Sequence, residues 1–170
     1  MNITVQVAVD PILREFICAW YGSDTIYAAK NYSISKKIKY HLALPPADFV
    51  YKQPECFINI ELIANLFIKQ GKKTSQIRTI YKNYLSEEGQ RVISNDMSDW
   101  FKNIFRNFMA GYVLANNTHI GCQKKGIYLF SEFYNLTLDK INYEMLKKDW
   151  DRSKQKSIIW NEYKLNKKSA

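Results

Sequence analysis

The segments that decide the fold of this chain are QKKGIYLFSEFYNL, residues 123–136, and INYEMLKKDWDRSKQK, residues 141–156. Apolar side chains recur at the spacing of an α-helix in both segments. A short break, TLDK at residues 137–140, separates them. The sequence therefore predicts two helices joined by a tight turn, with most of the charge on the second helix.

Residues around the break predict how the two helices pack. Asn135 follows the first helix, and asparagine tolerates the left-handed backbone that a sharp turn requires. Small Ser131 marks a position where another helix can approach closely. The apolar residues on adjoining faces of the first helix are Ile127, Tyr128, Phe130, Phe133 and Tyr134. After the break, we expect the inward-facing side chains to be Leu136, Leu138, Ile141, Met145, Leu146 and Trp150.

The outer positions of the second helix are basic or polar, as in a helix that meets phosphates and base edges. We predict that they bind nucleic acid, in the manner of a recognition helix. The chain departs from the usual pattern, because Asn135 replaces the turn glycine and acidic residues lie on the second helix. The alternative is a helical bundle whose last helices are merely amphipathic. The predicted contact residues are Lys140, Asn142, Lys147, Lys148, Arg152, Lys154 and Lys156.

A long helix is predicted before this pair. Ser86 can cap its first turn, and Glu87 and Glu88 place negative charge near the positive end of the helix dipole. Apolar residues then recur every three or four positions, so we expect a broad buried face that the two later helices cover. Its members are Val92, Ile93, Met97, Trp100, Phe101, Ile104, Phe105, Phe108, Met109 and Tyr112.

A basic segment precedes the long helix. No acidic residue lies between Ile63 and Ser86, whereas five basic residues do. We interpret the centre of this segment as an exposed connection and a second candidate contact for nucleic acid. The alternative is an ordinary solvated loop, since charge runs are usually solvated surface. The five basic residues are Lys69, Lys72, Lys73, Arg78 and Lys82.

Three short stretches near the amino end have strand patterns. Residues 4–9, TVQVAV, alternate so that Val5, Val7 and Val9 share one face. Residues 25–29 and 57–63 are two further candidates, although the second could continue to Ile68 as a helix.

Two helices are predicted between these strands. Asp10 and Pro11 form a typical helix entry, and Gly22 is a typical stop. We expect this helix to bury Leu13, Phe16, Ile17 and Trp20. Either Ser33 or Ser35 is expected to cap the second helix, which Pro45 and Pro46 should end.

These elements predict an α+β protein: a small amino-terminal strand-helix unit followed by a mainly helical carboxyl-terminal half with a helix-turn-helix-like pair. The expected division is 1–68 for the α+β unit, 69–85 for the basic connection and 86–170 for the helical region.

The composition limits the class of protein. Apolar residues make up 46% and the formal net charge is +9, which favours a folded protein attracted to polyanions. No apolar run is long enough to span a bilayer, so we expect no membrane partner. The three cysteines are widely spaced, which favours free thiols in a reducing compartment, and no paired ligands predict a metal or cofactor.

Catalytic patterns are not found. His41 and His119 are the two histidines, and neither has a nucleophile or carboxylate placed near it in sequence. No glycine-rich phosphate loop is present. A Mg²⁺ site would require Asp96, Asp99, Asp149 and Asp151 to converge in the tertiary structure. We therefore expect a protein that is not an enzyme.

The order NYLSEEGQRVI, KKGIYLFSEFYNL and YEMLKKDW resembles small basic proteins of phages and mobile elements of Bacteroidetes-type bacteria. The resemblance covers about residues 81–150 and implies helix-turn-helix DNA binding in a bacterial cytoplasm or a virion. Together with the charge, it favours a non-catalytic protein whose partner is nucleic acid, double-stranded DNA in particular. The alternative is a phage structural or protein-interaction component, with a protein partner or a homo-oligomer: a virion part, or an inhibitor of a host protein.

Overall fold

The structure is a computed structural model that describes residues 3–28, 32–43, 48, 50, 54–62, 84–116 and 121–156. The described residues form a three-stranded sheet and five helices, which confirms the α+β class and the mainly helical carboxyl-terminal half. The elements are β1 (Ile3–Ala8), α1 (Pro11–Tyr21), β2 (Thr25–Tyr27), α2 (Tyr32–His41), β3 (Phe57–Leu62), α3 (Glu87–Ala115), α4 (Cys122–Phe133) and α5 (Lys140–Lys156).

The sheet has the strand order β1-β3-β2, with β1 antiparallel and β2 parallel to β3. Ile60 of β3 lies opposite Val5 of β1 and Ile26 of β2. All three side chains are buried, so this row crosses the apolar face of the sheet. The three predicted strands are confirmed, as is the shared buried face of Val5, Val7 and Val9. The predicted continuation to Ile68 lies outside the described residues.

Helix α1 begins and ends where the sequence predicts. Asp10 has the extended backbone of an N-cap residue, Pro11 opens the helix, and Gly22 adopts a left-handed conformation with φ 67°. The carboxylate of Asp10 makes no capping hydrogen bond, so proline and glycine supply the boundaries. Burial of the predicted stripe is confirmed for Leu13, Phe16 and Ile17. Trp20, in the last turn of the helix, is instead 44% exposed, and its ring centroid lies 5.7 Å from that of Phe16.

The prediction for the start of α2 is wrong. The helix begins at Tyr32, so Ser33 and Ser35 both lie inside its first turn. Ser35 is buried, and its hydroxyl donates to the carbonyl of Ala28, just after β2. The serine is therefore placed by a tertiary hydrogen bond rather than by capping. Pro45 and Pro46 lie outside the described residues.

The outer edge of β1 is bonded by a side chain of α3. The Gln90 amide donates to the carbonyl of Gln6 at 2.9 Å and accepts from the N–H of Ala8 at 3.3 Å. Gln90 therefore hydrogen-bonds two backbone groups of this edge strand that in the interior of a sheet would pair with a neighbouring strand. Lys37 and Asp96 form an ion pair between α2 and α3.

Helix α3 starts with the predicted cap, in which the hydroxyl of Ser86 accepts from the N–H of Gly89 at 3.1 Å. The buried face of α3 is narrower than predicted, because only every fourth residue is fully buried. Trp100, Ile104 and Phe108, which were predicted to belong to this face, are half-buried. The inward line consists of Ile93, Met97, Phe101, Phe105, Met109 and Val113.

The chain divides into two compact units, Met1–Ser98 and Asp99–Ala170, so α3 contributes to both. The connection predicted for residues 69–85 lies outside the described residues except at Tyr84 and Leu85. Leu85 forms an isolated bridge with Leu42, within the first unit.

The second unit is organised around Phe130 of α4. Its ring centroid lies 5.1 Å from that of Phe105, 5.3 Å from Phe108 and 6.1 Å from Phe101 on α3. These tilted or edge-on contacts are favoured geometries for aromatic pairs. The ring centroid of Tyr134 lies 4.9 Å from that of Phe130. The described part of this unit is therefore a three-helix arrangement with an aromatic centre.

Candidate nucleic-acid interface

The turn between α4 and α5 is held by backbone hydrogen bonds. The N–H of Leu136 donates to the carbonyl of Ser131 at 2.8 Å, and that of Asn135 to Glu132 at 3.1 Å. This is the Schellman pattern, which needs one left-handed residue. Asn135 provides it with φ 50° and is the one non-glycine residue with positive φ in the described chain. The predicted role of Asn135 is confirmed.

Helix α5 begins with a side-chain cap. The carboxylate of Asp139 accepts from the N–H of Asn142 at 2.7 Å, and the carbonyl of Asp139 accepts from the N–H of Tyr143 at 2.9 Å. The side-chain amide of Asn142 donates to the carbonyl of Thr137 at 2.8 Å. Asn142, predicted as a nucleic-acid contact, therefore uses one amide donor to brace the turn.

Helices α4 and α5 run back along each other. The ring centroids of Tyr128 and Tyr143 lie 6.0 Å apart. The side-chain amide of Gln123 donates to the Asp151 carboxylate at 3.2 Å and accepts from the Lys154 ammonium at 3.1 Å. Gln123 and Asp151 each lie about 16 Å from the turn, measured along the axis of their own helix. If the two helix axes diverged from the turn at right angles, these residues would lie about 23 Å apart and could not form a hydrogen bond. The predicted pair is thus an antiparallel hairpin, whereas DNA-binding helix-turn-helix pairs cross at about 90–120°.

The carboxylates that the sequence placed on α5 are neutralised within the protein. Asp149 accepts two hydrogen bonds from Arg106 of α3, at 2.8 and 2.5 Å. This bidentate bond raises the pKa of Arg106. Glu144 lies 4.0 Å from Lys147, one turn away on α5. These contacts reduce the repulsion that acidic residues would exert on a phosphate.

Asp151 is the third neutralised carboxylate. Its partial burial opposes ionisation, but the 2.7 Å contact with Lys154 and the hydrogen bond from Gln123 outweigh that cost and lower its pKa. Lys154 also lies 5.7 Å from the ring centroid of the buried Trp150. Lys154, a predicted contact residue, therefore already interacts with side chains of both helices.

Apart from Lys140 at the start of the helix, the exposed residues of α5 whose side chains are described lie on one stripe, which we call the outer stripe: Ile141, Met145, Lys148 and Arg152. Their spacings of four, three and four residues place them on one helix face. Lys148 lies one turn before Arg152, as predicted. Neither cation forms an ion pair within the described residues, and the same is true of exposed Lys140.

Two residues of the outer stripe correct the predicted packing. Ile141 and Met145 were expected to face inward but are 78% and 37% exposed. The inward side of α5 is occupied by Leu146 and Trp150, which are buried. Adjacent positions of an α-helix differ by about 100° around its axis, so a side that buries Leu146 turns Met145 away. The inward predictions for Leu136, Leu146 and Trp150 are confirmed.

The first helix of the pair also carries exposed side chains. Phe133 is 75% exposed, although its ring lies 4.9 Å from that of Tyr134 in an edge-on contact. Tyr128 is half exposed, with the ammonium of Lys124 5.9 Å from its ring centroid. Neither Lys124 nor neighbouring Lys125 was among the predicted contacts, yet both are exposed. The two adjacent lysines in QKKG, at the start of this helix, would have been enough to predict them as candidate contacts from the sequence.

The second predicted group of contacts, Lys69, Lys72, Lys73, Arg78 and Lys82, lies outside the described residues, as does the side chain of Lys156. Where the structure describes the chain, no three His, Cys, Asp or Glu side chains are grouped so as to hold a metal ion. None of its described helices is both long and apolar enough to cross a bilayer.

Comparisons with protein-family models, curated proteins and solved structures found no match to this chain.

Proposed function

We propose that this protein binds nucleic acid, specifically double-stranded DNA, through the outer side of α5 and without catalysis. The observation that carries the proposal is the distribution of charge on this helix. Its acidic side chains are paired with Arg106, Lys147 and Lys154, whereas exposed Lys148 and Arg152 are left for an external anion.

The wider charge of the second unit supports the proposal. Residues 99–170 contain thirteen Lys or Arg and seven Asp or Glu, a difference of six. Such an excess attracts a polyanion by releasing its condensed counterions. A B-DNA major groove, about 12 Å wide, admits one α-helix, so the outer stripe can enter it while the rest of the hairpin stays outside.

The proposed setting is the cytoplasm of a bacterial host, or a virion, with a phage or mobile element as the source. This follows from the resemblance over residues 81–150 and from the DNA-binding proposal. Exposed Lys124, Lys125 and Lys140 are further candidates for phosphate contact, because they belong to the same hairpin.

A second candidate function is a protein-interaction component, and exposed apolar side chains favour it. Phe133 and Ile141 flank the turn and are each about three quarters exposed. Exposed apolar patches with a polar rim are typical of protein interfaces. In this case the turn would contact a protein partner or a second copy of the chain.

The test is fluorescence anisotropy on a mixed-sequence duplex, titrated over salt. We expect the double variant Lys148→Gln/Arg152→Gln to lower the slope of log K against log salt by about 1.8, since each phosphate contact contributes about 0.9. The matched control is Lys36→Gln/Lys39→Gln, which removes the same charge from α2 in the other unit and should leave most of the slope intact.

The outcomes separate the two functions. An equal loss of slope in both variants would mean that net charge, not the outer side of α5, attracts the duplex. Wild-type protein that shows no salt-dependent binding would eliminate the DNA proposal. Concentration-dependent association abolished by Phe133→Ala would then favour the protein-interaction candidate.

A further inference from the structure

The outer stripe changes character along its length. Its two residues nearest the turn, Ile141 and Met145, are apolar, and its two later residues, Lys148 and Arg152, are cationic. A helix that contacted only phosphates would gain nothing from an isoleucine that is 78% exposed. The apolar end therefore calls for a partner that offers apolar groups next to an anionic backbone.

The apolar end of the stripe is also held in place. Ile141 lies in the first turn of α5, between the capping carboxylate of Asp139 and its hydrogen-bond partner Asn142. The preceding turn is fastened by the Leu136 to Ser131 hydrogen bond and braced by Asn142 on Thr137. The backbone that presents Ile141 is therefore already fixed before binding, which reduces the conformational entropy lost when a partner binds.

Charge decides which partner fits. A second copy that met this stripe with the two helices parallel would bring Lys148 and Arg152 close to their equivalents, which like-charge repulsion disfavours. With the helices antiparallel, the same two cations would lie against Ile141 and Met145 of the other copy, where no carboxylate of the stripe offsets the cost of burying them. Duplex DNA combines phosphates with an apolar group in the major groove, the C5-methyl of thymine, which apolar side chains contact. Recognition helices also use their amino-terminal residues for base edges. The apolar residues of the stripe lie at that end of α5.

We propose that Ile141 and Met145 contact thymine methyl groups in the major groove while Lys148 and Arg152 hold the adjacent phosphates. The protein then prefers duplexes that present methyl groups at consecutive base steps. This inference rests on the proposed function and deepens it, because it names the chemical group on the DNA that α5 contacts.

The test uses duplexes that differ only in this methyl group. Anisotropy is measured on an alternating dA–dT duplex of 20 base pairs and on its dA–dU counterpart, which lacks the C5-methyl. We expect wild-type protein to bind the dA–dT duplex about fourfold more tightly for each methyl group contacted, or about 0.8 kcal/mol. A dG–dC duplex carrying 5-methylcytosine should likewise be bound more tightly than unmodified dG–dC.

The matched variant is Ile141→Ala/Met145→Ala, which should bind the dA–dT and dA–dU duplexes equally while keeping the wild-type salt slope. Because Met145 is less exposed, Ile141→Ala alone is the second variant and should lose part of the preference. Its thermal melt should match that of the wild type.

Three results would overturn the proposal. Equal wild-type binding to the two duplexes, with a normal salt slope, leaves the DNA function standing but overturns the methyl contact. A preference that survives in both variants places the methyl contact elsewhere. Wild-type protein that binds no duplex at any salt overturns this inference and the proposed function together.

Discussion

The guanidinium of Arg106 on α3 donates two hydrogen bonds to the carboxylate of Asp149 on α5, from Nε to Oδ2 at 2.8 Å and from Nη2 to Oδ1 at 2.5 Å. The side chain of Asp149 is only 15% exposed, so removing the partner would leave a poorly hydrated charge. The pair therefore links α3 and α5 and neutralises a carboxylate on the helix that we propose binds DNA.

We expect Arg106→Gln to destabilise the protein by about 1–3 kcal/mol, because a hydrogen-bonded charge loses its partner. Urea unfolding measures the loss. Adding Asp149→Asn should recover part of it, since the unpaired charge is then removed as well. A loss below about 0.5 kcal/mol in the single variant would mean that solvent already satisfies Asp149.

Phe101→Ala should cost about 3–5 kcal/mol, because Phe101 is buried against Phe130 and truncation leaves a cavity. Phe133→Ala is the control: the same substitution at a ring that is mostly exposed should change the free energy of unfolding by less than about 1 kcal/mol. Thermal melts of both variants check the contrast. Equal costs would contradict the packing of α3 on α4.

Two helical glycines should respond to alanine with opposite signs. At Gly126 an added Cβ would lie 2.9 Å from Tyr112 and 3.0 Å from Met109, so Gly126→Ala should destabilise by about 1–2 kcal/mol. At Gly111 an added Cβ would meet no atom within 4 Å beyond its own turn of helix, so Gly111→Ala should stabilise by about 0.5–1 kcal/mol through helix propensity. Chemical unfolding of the two variants measures both, and a stabilised Gly126→Ala would refute the close approach of α4 to α3.

The lowered pKa of Asp151 predicts a pH dependence. A carboxyl whose pKa is lower in the folded than in the unfolded state stabilises the fold above its unfolded pKa of about 3.9. That contribution disappears as the pH falls through the folded value. Urea unfolding from pH 7 to pH 2.5 should therefore show the wild type losing its advantage over Asp151→Asn below about pH 4. A difference that stays constant across this range would rule out a depressed pKa.

Much of the fold follows from local patterns. Pro11 and Gly22 delimit α1, Ser86 caps α3, and Asn135 turns the chain before α5, because each depends on sterics or hydrogen bonds within a few residues. Local patterns also led to a wrong prediction. Ser35 has the side chain of a capping residue, but its hydroxyl donates a hydrogen bond to the carbonyl of Ala28, which lies outside the helix.

The candidate site was predicted less completely. A periodic pattern locates α5 and identifies Lys148 and Arg152 as outward cations, and a spacing of three residues makes Asp151 a foreseeable partner of Lys154. The pattern cannot show that Lys154 also donates a hydrogen bond to Gln123 of α4. Nor can it show that Asn142 braces the turn. Side-chain partners on another helix are chosen by tertiary proximity, which sequence spacing does not encode.

By itself, then, the sequence determined the α+β class, the long helix, the helical pair and the excess of positive charge, since these depend on periodicity, capping residues and composition. Only the tertiary structure decided that α4 and α5 form a hairpin, that Arg106 neutralises Asp149, and that Ile141 and Met145 face outward. The reason is physical: α5 has more apolar residues than one side of a helix can bury, and the burial of Leu146 and Trp150 leaves Ile141 and Met145 exposed.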